Sequence, residues 1–158
     1  MKTKELLSIP FLLNGRTTEG LDCWGLVLHY WKGQGVILPD TPPIADDWAD
    51  FADLAGAYLR QFEDCLERIP AKKTKPGDII CWDWSRHGIV DHVGLVVSRS
   101  QAISAFECAG IRLFNRTKYD HLVVSYHRPT PAARSPQYTA ALGQLVAPEE
   151  ALKEEALA

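Results

Sequence analysis

The chain has 158 residues and a net charge of −3 at pH 7, and 46% of its residues are hydrophobic. A chain of this length buries enough apolar surface to form one folded domain with a structured site. The slight acidic excess gives no indication of the basic footprint that binds nucleic acid, so we expect no nucleic-acid partner. The four cysteines, at positions 23, 65, 81 and 108, lack the spacing of a disulfide framework or a zinc site, so we expect free thiols and neither metal nor cofactor.

The N-terminal residues do not resemble an export signal, because the apolar stretch at Leu6 and Leu7 is short and is soon interrupted by Pro10. No segment approaches the roughly 18 uncharged apolar residues that a membrane-spanning helix needs. We therefore expect a protein that is made in the cytoplasm without a signal peptide and is not inserted into a membrane.

The first half of the chain contains two predicted helices. An irregular segment from Phe11 to Leu21 leads to an apolar helix from Cys23 to Lys32, which Asp22 is well placed to cap. Because this helix is apolar on nearly all sides, we expect it to be packed between other elements. After an extended segment at 36–43, apolar residues at three- and four-residue spacing predict a second helix from about Trp48 or Asp50 to Leu66.

The second half of the chain has the residue pattern of strands. Alternating and β-branched residues predict five of them, at 78–84, 91–98, 102–106, 111–114 and 122–127. Helices followed by an antiparallel meander predict an α+β domain whose helices pack on the sheet. We expect this domain to span residues 1–130, and we expect residues 131–158, which are rich in Pro, Ala, Gln and Glu, to form a helical or disordered tail.

Cys23 is the candidate nucleophile, because it opens the predicted apolar helix. Unpaired N–H groups and the positive end of the helix dipole favour a thiolate there, so we expect a lowered pKa and the most reactive of the four thiols. Gly25 should keep the helix start open to a substrate, and the Cys23 N–H is placed to donate to an oxyanion. The alternative is a small buried apolar residue at the start of a core helix.

His92 is the candidate base, and it begins the strand-like run His92-Val93-Gly94-Leu95-Val96. A cysteine that opens a helix, followed along the chain by a histidine on a strand, is typical of papain-like cysteine hydrolases. The other four histidines have no partner that the sequence identifies. Trp82 and Trp84 share one face of a predicted strand, as core residues or as a groove wall.

Three motifs resemble those of the NlpC-type cell-wall peptidases. Asp22-Cys23-Trp24-Gly25-Leu26-Val27 resembles the nucleophile motif of that family. Pro76-Gly77-Asp78-Ile79-Ile80 resembles its Pro-Gly-Asp strand, and the run from His92 resembles its histidine strand. The motifs occur in family order over roughly residues 10 to 115. Trp24 and the run Gly35-Val36-Ile37-Leu38-Pro39 further resemble the branch found in bacteriophage tail proteins.

The resemblance implies a papain-like fold and an endopeptidase that cleaves the peptide stems of peptidoglycan, typically after a γ-linked D-glutamyl residue. It also implies a location in a virion tail or tail-like particle, with other tail proteins as partners. In the family a polar residue, usually a second histidine, lies 12 positions after the first, and here that position is Ser104. We expect Ser104 to orient His92, directly or through a water molecule.

The sequence leaves two alternatives to Ser104 as the orienting residue. Glu107 is a possible orienter, although strand alternation places it on the opposite face unless the strand ends or bulges first. The second alternative is that neither Ser104 nor Glu107 orients His92, in which case the site is weak or inactive. The rival function is accordingly a tail-assembly or tail-tip structural protein that has the same fold and little turnover. A third hypothesis is a cytoplasmic thiol hydrolase or acyltransferase that acts on a small amide.

Overall fold

The computed structural model describes residues 2–40 and 65–133, and its centre is an antiparallel sheet of six strands. The strand order is β3-β8-β4-β5-β6-β7. The strands are β3 (Leu66–Arg68), β4 (Ile79–Trp82), β5 (His92–Val96), β6 (Gln101–Phe106), β7 (Gly110–Asn115) and β8 (Val123–Pro129). Each of the five predicted strands is present, and the α+β prediction is confirmed.

The remaining elements are short apart from one helix. Helix α1 (Thr3–Leu7) precedes a hairpin of β1 (Arg16–Thr17) and β2 (Gly20–Leu21), which lies in the segment predicted to be irregular. Helix α2 (Cys23–Gly33) matches the predicted apolar helix. Two 3-10 turns are present at Ala71–Lys73 and Arg116–Leu122. None of the described helices is long and apolar enough to cross a membrane.

Most of the predicted second helix lies outside the described residues. Its predicted end at Leu66 is wrong, because Leu66 begins β3 and pairs with Pro129 of β8. The apolar spacing that indicates a helix continues into this residue, whereas its backbone hydrogen bonds are made to a strand that is distant in sequence. The extended segment predicted at 36–43 is described only as far as residue 40, and Val36 and Leu38 are buried there.

Alternation along the strands builds a core on each face of the sheet. The first core includes α1, α2 and residues such as Ile79, Cys81, Leu95 and Ile103. The second core includes Ile80, Trp82, Val96, Ala102 and Tyr126. Helix α2 is buried at four of its residues, Gly25, Leu26, Val27 and Trp31, and it is less enclosed than its composition predicts. Ala133 packs in the first core, so the folded unit extends at least to that residue.

The Pro-Gly-Asp motif attaches β4 to β8. Asp78 is buried, and its two carboxylate oxygens accept hydrogen bonds from Arg128 at 2.7 Å each. Gly77 has a positive φ of 93°, and a β carbon there would lie 2.7 Å from the Tyr30 hydroxyl oxygen. A residue with a side chain would therefore be strained and would also displace Tyr30. The motif thus has a structural explanation that involves no catalytic group.

Gly25 is needed for packing and not for substrate access, which corrects the expectation from the sequence. It is buried, and a β carbon at this position would lie 2.1 Å from the carbonyl oxygen of Gly15. The loop before the β1–β2 hairpin therefore rests directly on the backbone of α2.

We predict that Gly25→Ala destabilises the fold by about 1–3 kcal/mol or more, since the added methyl group must push the Gly15 backbone away. Gly33→Ala is the matched control in the same helix, because a β carbon at Gly33 would meet no atom within 4 Å. The control should be neutral or should stabilise by up to ~1 kcal/mol. Urea unfolding of both variants measures the difference, and equal stabilities would contradict the packing explanation.

Candidate active site

Cys23 lies at the first position of α2, beside the start of β5. The backbone N–H groups of Val93 and Trp24 lie close enough to its sulfur to lower the pKa of the thiol. Val93 directly follows His92 on β5. The fold therefore brings the candidate nucleophile to the peptide unit that adjoins the candidate base, although the two residues are far apart in sequence.

The expectation of a low pKa at Cys23 is wrong for the free protein. Burial raises the pKa of the Cys23 thiol to about 12, and the adjacent Asp22 carboxylate adds to the increase. The N–H donors of Val93 and Trp24 and the positive charge of Arg16 act in the opposite direction and are outweighed. A helix N-terminus favours an anion, but removing the thiolate from water costs more here. Cys23 is partly exposed as a residue, but its sulfur is enclosed, so the candidate nucleophile rests as a neutral thiol.

The N-terminus of α2 is held by Asp22, which is buried. One of its carboxylate oxygens accepts from the Gly25 N–H at 2.6 Å and from Arg16 at 2.9 Å, and the other accepts from the Asn14 N–H at 2.9 Å. Asp22 therefore caps the helix that carries the thiol. The N–H of Cys23 has no acceptor among the described residues, which leaves it available to a substrate oxyanion.

His92 is enclosed by aromatic rings. Its imidazole lies 4.8 Å from the ring of Phe106, 5.3 Å from Trp84 and 5.8 Å from Trp82, measured between centroids. Burial among these rings lowers the pKa of His92 to about 4, and the nearby Asp91 carboxylate only partly opposes this. The imidazole is therefore neutral at pH 7 and able to accept a proton.

Ser104 makes the direct contact with the imidazole. Its hydroxyl oxygen lies 2.9 Å from Nε2 of His92, and its hydroxyl proton is donated to the carbonyl oxygen of Val93 at 2.5 Å. Because the hydroxyl has a single proton and has already donated it, its oxygen must accept from Nε2–H. This assignment leaves the lone pair on Nδ1. No bridging water is needed, and Ser104 fixes both the tautomer and the ring position.

Gly94 makes room for this contact. A β carbon at Gly94 would lie 2.9 Å from Cβ of Ser104 and 2.5 Å from the carbonyl oxygen of Ile103. Serine also suits the position by its size, because Ser104 is fully buried. The glycine of the histidine strand therefore allows β6 to approach β5 closely enough for a short side chain to reach the imidazole.

The structure brings Cys23, Ser104 and His92 to the same part of β5, but it leaves one expected contact unmade. Within the described residues no hydrogen bond joins the Cys23 sulfur to the His92 ring. Glu107 is exposed in the turn after β6, and Ser104 is the residue that reaches the imidazole. Ser104 as the orienting residue stays a prediction about function, now with a defined geometry.

Several residues of the site were not identified from the sequence. Arg16 pairs with both Asp22 and Asp40, and the sequence shows no signal for this beyond an arginine near an aspartate. Phe106 was missed as a wall of the imidazole pocket, and Trp84 was recognised only as core or groove wall. Val93 contributes through its backbone, which no side-chain pattern reveals. Asp91 accepts from the N–H groups of Trp84 and Ser85 and so fixes the loop that carries Trp84.

The other polar candidates lie apart from this arrangement. His87 is exposed at the tip of the loop between β4 and β5, where Asp83 accepts from its N–H at 2.8 Å. His127 contacts Ser125 on β8 at 2.9 Å. Cys65 and Cys81 are buried, and Cys108 is exposed. No group of three metal-binding side chains is formed by the described residues.

Comparison with known proteins gives a family and a fold. The model of the NlpC/P60 family matches residues 8–134. The structure is similar to NlpC2 from Trichomonas vaginalis, with 25% identity, a TM-score of 0.60 and coverage of 80% of this chain and 43% of that one. It is similar to NlpC1 from the same organism, with 26% identity, a TM-score of 0.57 and coverage of 79% and 40%. The chain thus spans less than half the length of these two proteins.

A third similar structure is the NlpC/p60 domain of the peptidoglycan hydrolase SagA, with 17% identity, a TM-score of 0.53 and coverage of 80% of this chain and 91% of that one. At this identity the likeness concerns the fold alone. No curated protein matches the chain.

We predict that Cys23 is alkylated more slowly than the exposed Cys108 near pH 7, because its thiol has a pKa of about 12. Its labelling rate should keep increasing as the pH rises from about 6 to about 10, since the thiolate fraction grows throughout. Pulsed iodoacetamide labelling with peptide mass spectrometry measures both cysteines in one sample. A Cys23 rate that is already constant between about pH 6 and 8 would instead indicate a thiolate at rest.

Proposed function

The chain belongs to the NlpC/P60 family, and on that premise we propose that it is a cysteine endopeptidase that cleaves the peptide stems of bacterial peptidoglycan. Cys23 is the nucleophile, His92 is the base and then the acid, and Ser104 orients His92. The observation that carries the proposal is the arrangement of Cys23, Ser104 and His92 around the backbone of Val93. Its N–H contacts the thiol, and its carbonyl holds the serine that contacts the imidazole.

The reaction starts from a neutral pair. Nδ1 of His92 takes the thiol proton as the sulfur of Cys23 attacks the substrate carbonyl carbon, so no stable thiolate is required beforehand. The Cys23 N–H stabilises the oxyanion. The imidazolium returns its proton to the leaving amine, and a thioester forms. Water activated by the same imidazole then hydrolyses the thioester and restores the thiol.

Desolvation supports this order of events. Both the raised pKa of Cys23 and the lowered pKa of His92 disfavour a resting thiolate–imidazolium pair. Hydrogen bonds between catalytic groups are often long or unmade in free enzymes and shorten in the substrate complex. The proposal therefore includes a small movement of the imidazole towards the thiol when a peptide stem binds.

The rival function is a structural one: a tail-assembly or tail-tip protein that has this fold and little turnover. It is favoured by the missing Cys23–His92 hydrogen bond and by the serine at the third position. The bacteriophage-tail location, the virion partners and cleavage after a γ-linked D-glutamyl residue all derive from the sequence resemblance. The location, the partners and the cleavage position are the most specific statements of the proposal.

Incubation with purified peptidoglycan tests the proposal. We expect the wild type to release peptides with new amino groups, detected by mass spectrometry, and we expect Cys23→Ala to release none. Cys108→Ala is the matched control, because it removes an exposed cysteine outside the site. Cleavage by Cys23→Ala at the wild-type rate would exclude Cys23 as the nucleophile. A folded wild type that cleaves no wall preparation would favour the structural rival.

We predict that Ser104→Ala lowers kcat about tenfold, as expected when one hydrogen bond to a catalytic group is lost, while KM changes little. Ser125→Ala is the matched control. Ser125 is also a buried serine, and its oxygen also lies 2.9 Å from a histidine Nε2, that of His127. Both variants should lose similar stability, but only Ser104→Ala should lose activity. Equal kcat values in the two variants would remove Ser104 from the mechanism.

A further inference from the structure

A groove with several arginines lies outside the candidate active site. It has a volume of about 870 Å³ and runs between β3, β8, the second 3-10 turn and the turn between β5 and β6. Cys23, His92 and Ser104 do not line it. Its polar lining is formed chiefly by Arg68, Arg99, Arg116, Ser100, Thr117 and Asp120. The groove is therefore basic although the chain as a whole has a net charge of −3.

Arg116 is the buried charge of this groove, with 6% of its surface exposed. Its Nε–H is shared between the carbonyl oxygens of Ser98 and Arg99, at 3.2 and 3.1 Å. Nη1 donates to the Tyr126 hydroxyl at 2.9 Å, and Nη2 donates to the Thr74 hydroxyl at 3.3 Å. All of these acceptors are neutral.

The absence of a carboxylate partner distinguishes Arg116 from two other partly buried arginines. Arg16 is paired with Asp22, and Arg128 is paired with Asp78. No ion pair of Arg116 is formed within the described residues. A guanidinium group removed from water without a counter-charge is costly, and a bound anion would supply that charge.

The geometry leaves donors for such an anion. A guanidinium group has five N–H bonds, and the contacts described above use one on Nε, one on Nη1 and one on Nη2. One N–H on each terminal nitrogen has no acceptor among the described residues. Paired terminal N–H groups match the two oxygens of a phosphate or carboxylate group.

We propose that this groove binds an oxyanion, a phosphate or carboxylate group of a ligand, with Arg116 as the buried anchor and Arg68 and Arg99 at the rim. Arg68 and Arg99 are exposed, and they add positive charge without enclosing the groove. Asp120 is the acidic residue of the lining, so the three arginines outnumber it. The volume exceeds that of a single phosphate and falls in the range of small-molecule sites, so the oxyanion belongs to a larger ligand. The proposal does not depend on peptidase activity.

Titration of the full chain with three salts tests the site. Sodium phosphate and sodium acetate probe the two oxyanions, and sodium chloride at equal ionic strength is the control. We expect saturable shifts of the Ser100 and Thr117 amide resonances and of the Arg116 Nε–H in nuclear magnetic resonance spectra. Saturation by phosphate alone would identify a phosphate ligand, and saturation by acetate alone would identify a carboxylate ligand. Shifts that merely follow ionic strength would overturn the proposal.

Substitutions of arginines inside and outside the groove test where the anion binds. Arg99→Gln should weaken binding of the anion that saturates the site about tenfold, because one of the two rim charges is lost. Arg112→Gln is the control, since Arg112 is an exposed arginine outside the groove. Arg116→Lys should abolish saturation, and its fold is checked by thermal unfolding. If it does not fold, the double variant Arg68→Gln, Arg99→Gln replaces it and should also abolish saturation. Unchanged affinity in Arg99→Gln, or an equal loss in Arg112→Gln, would refute the proposal.

Discussion

The candidate site depends on the backbone of Val93, through the two successive peptide units that flank its Cα. Its N–H acts on the Cys23 sulfur and lowers the pKa of the thiol, and its carbonyl oxygen accepts the proton of Ser104, whose oxygen contacts His92. The main chain of one strand residue therefore lies between the thiol and the serine that contacts the imidazole. Backbone atoms suit this purpose because the hydrogen bonds of the ladder hold them, whereas a side chain would need its own support.

Desolvation decides the charge state of the site. The aromatic rings around His92 lower its pKa, and burial of Cys23 raises that of the thiol, so both groups are neutral at rest. The helix N-terminus and Arg16 are too weak to reverse this. Asp22 caps the helix and also adds a negative charge next to the sulfur. The residue that caps the helix thus opposes ionisation of the candidate nucleophile, which is the reason that the proposed mechanism starts from general-base catalysis.

Close backbone approach is the second constraint. Gly25 admits the carbonyl oxygen of Gly15, Gly77 admits the Tyr30 ring, and Gly94 admits Ser104. Each glycine of the three sequence motifs therefore has a packing explanation in this fold. The buried charged residues fall into two groups, those in ion pairs and Arg116. Asp22 and Asp78 are paired with arginines that hold elements together, whereas Arg116 pairs with no carboxylate in the part of the chain that the structure describes, and it lines a groove.

The sequence by itself determined the helix at Cys23 and the five strands, because periodicity and capping are local, and it identified Cys23 and His92 as candidates for one site. It also indicated Ser104 by its spacing from His92. Only the tertiary structure decided the pKa of Cys23, the aromatic enclosure of His92, the packing of Gly25 and the strand at Leu66. These depend on which residues from distant parts of the chain exclude water or donate hydrogen bonds. The buried Arg116 belongs with them, because the lack of a counter-charge among the described residues is recognised only once its neighbours are known.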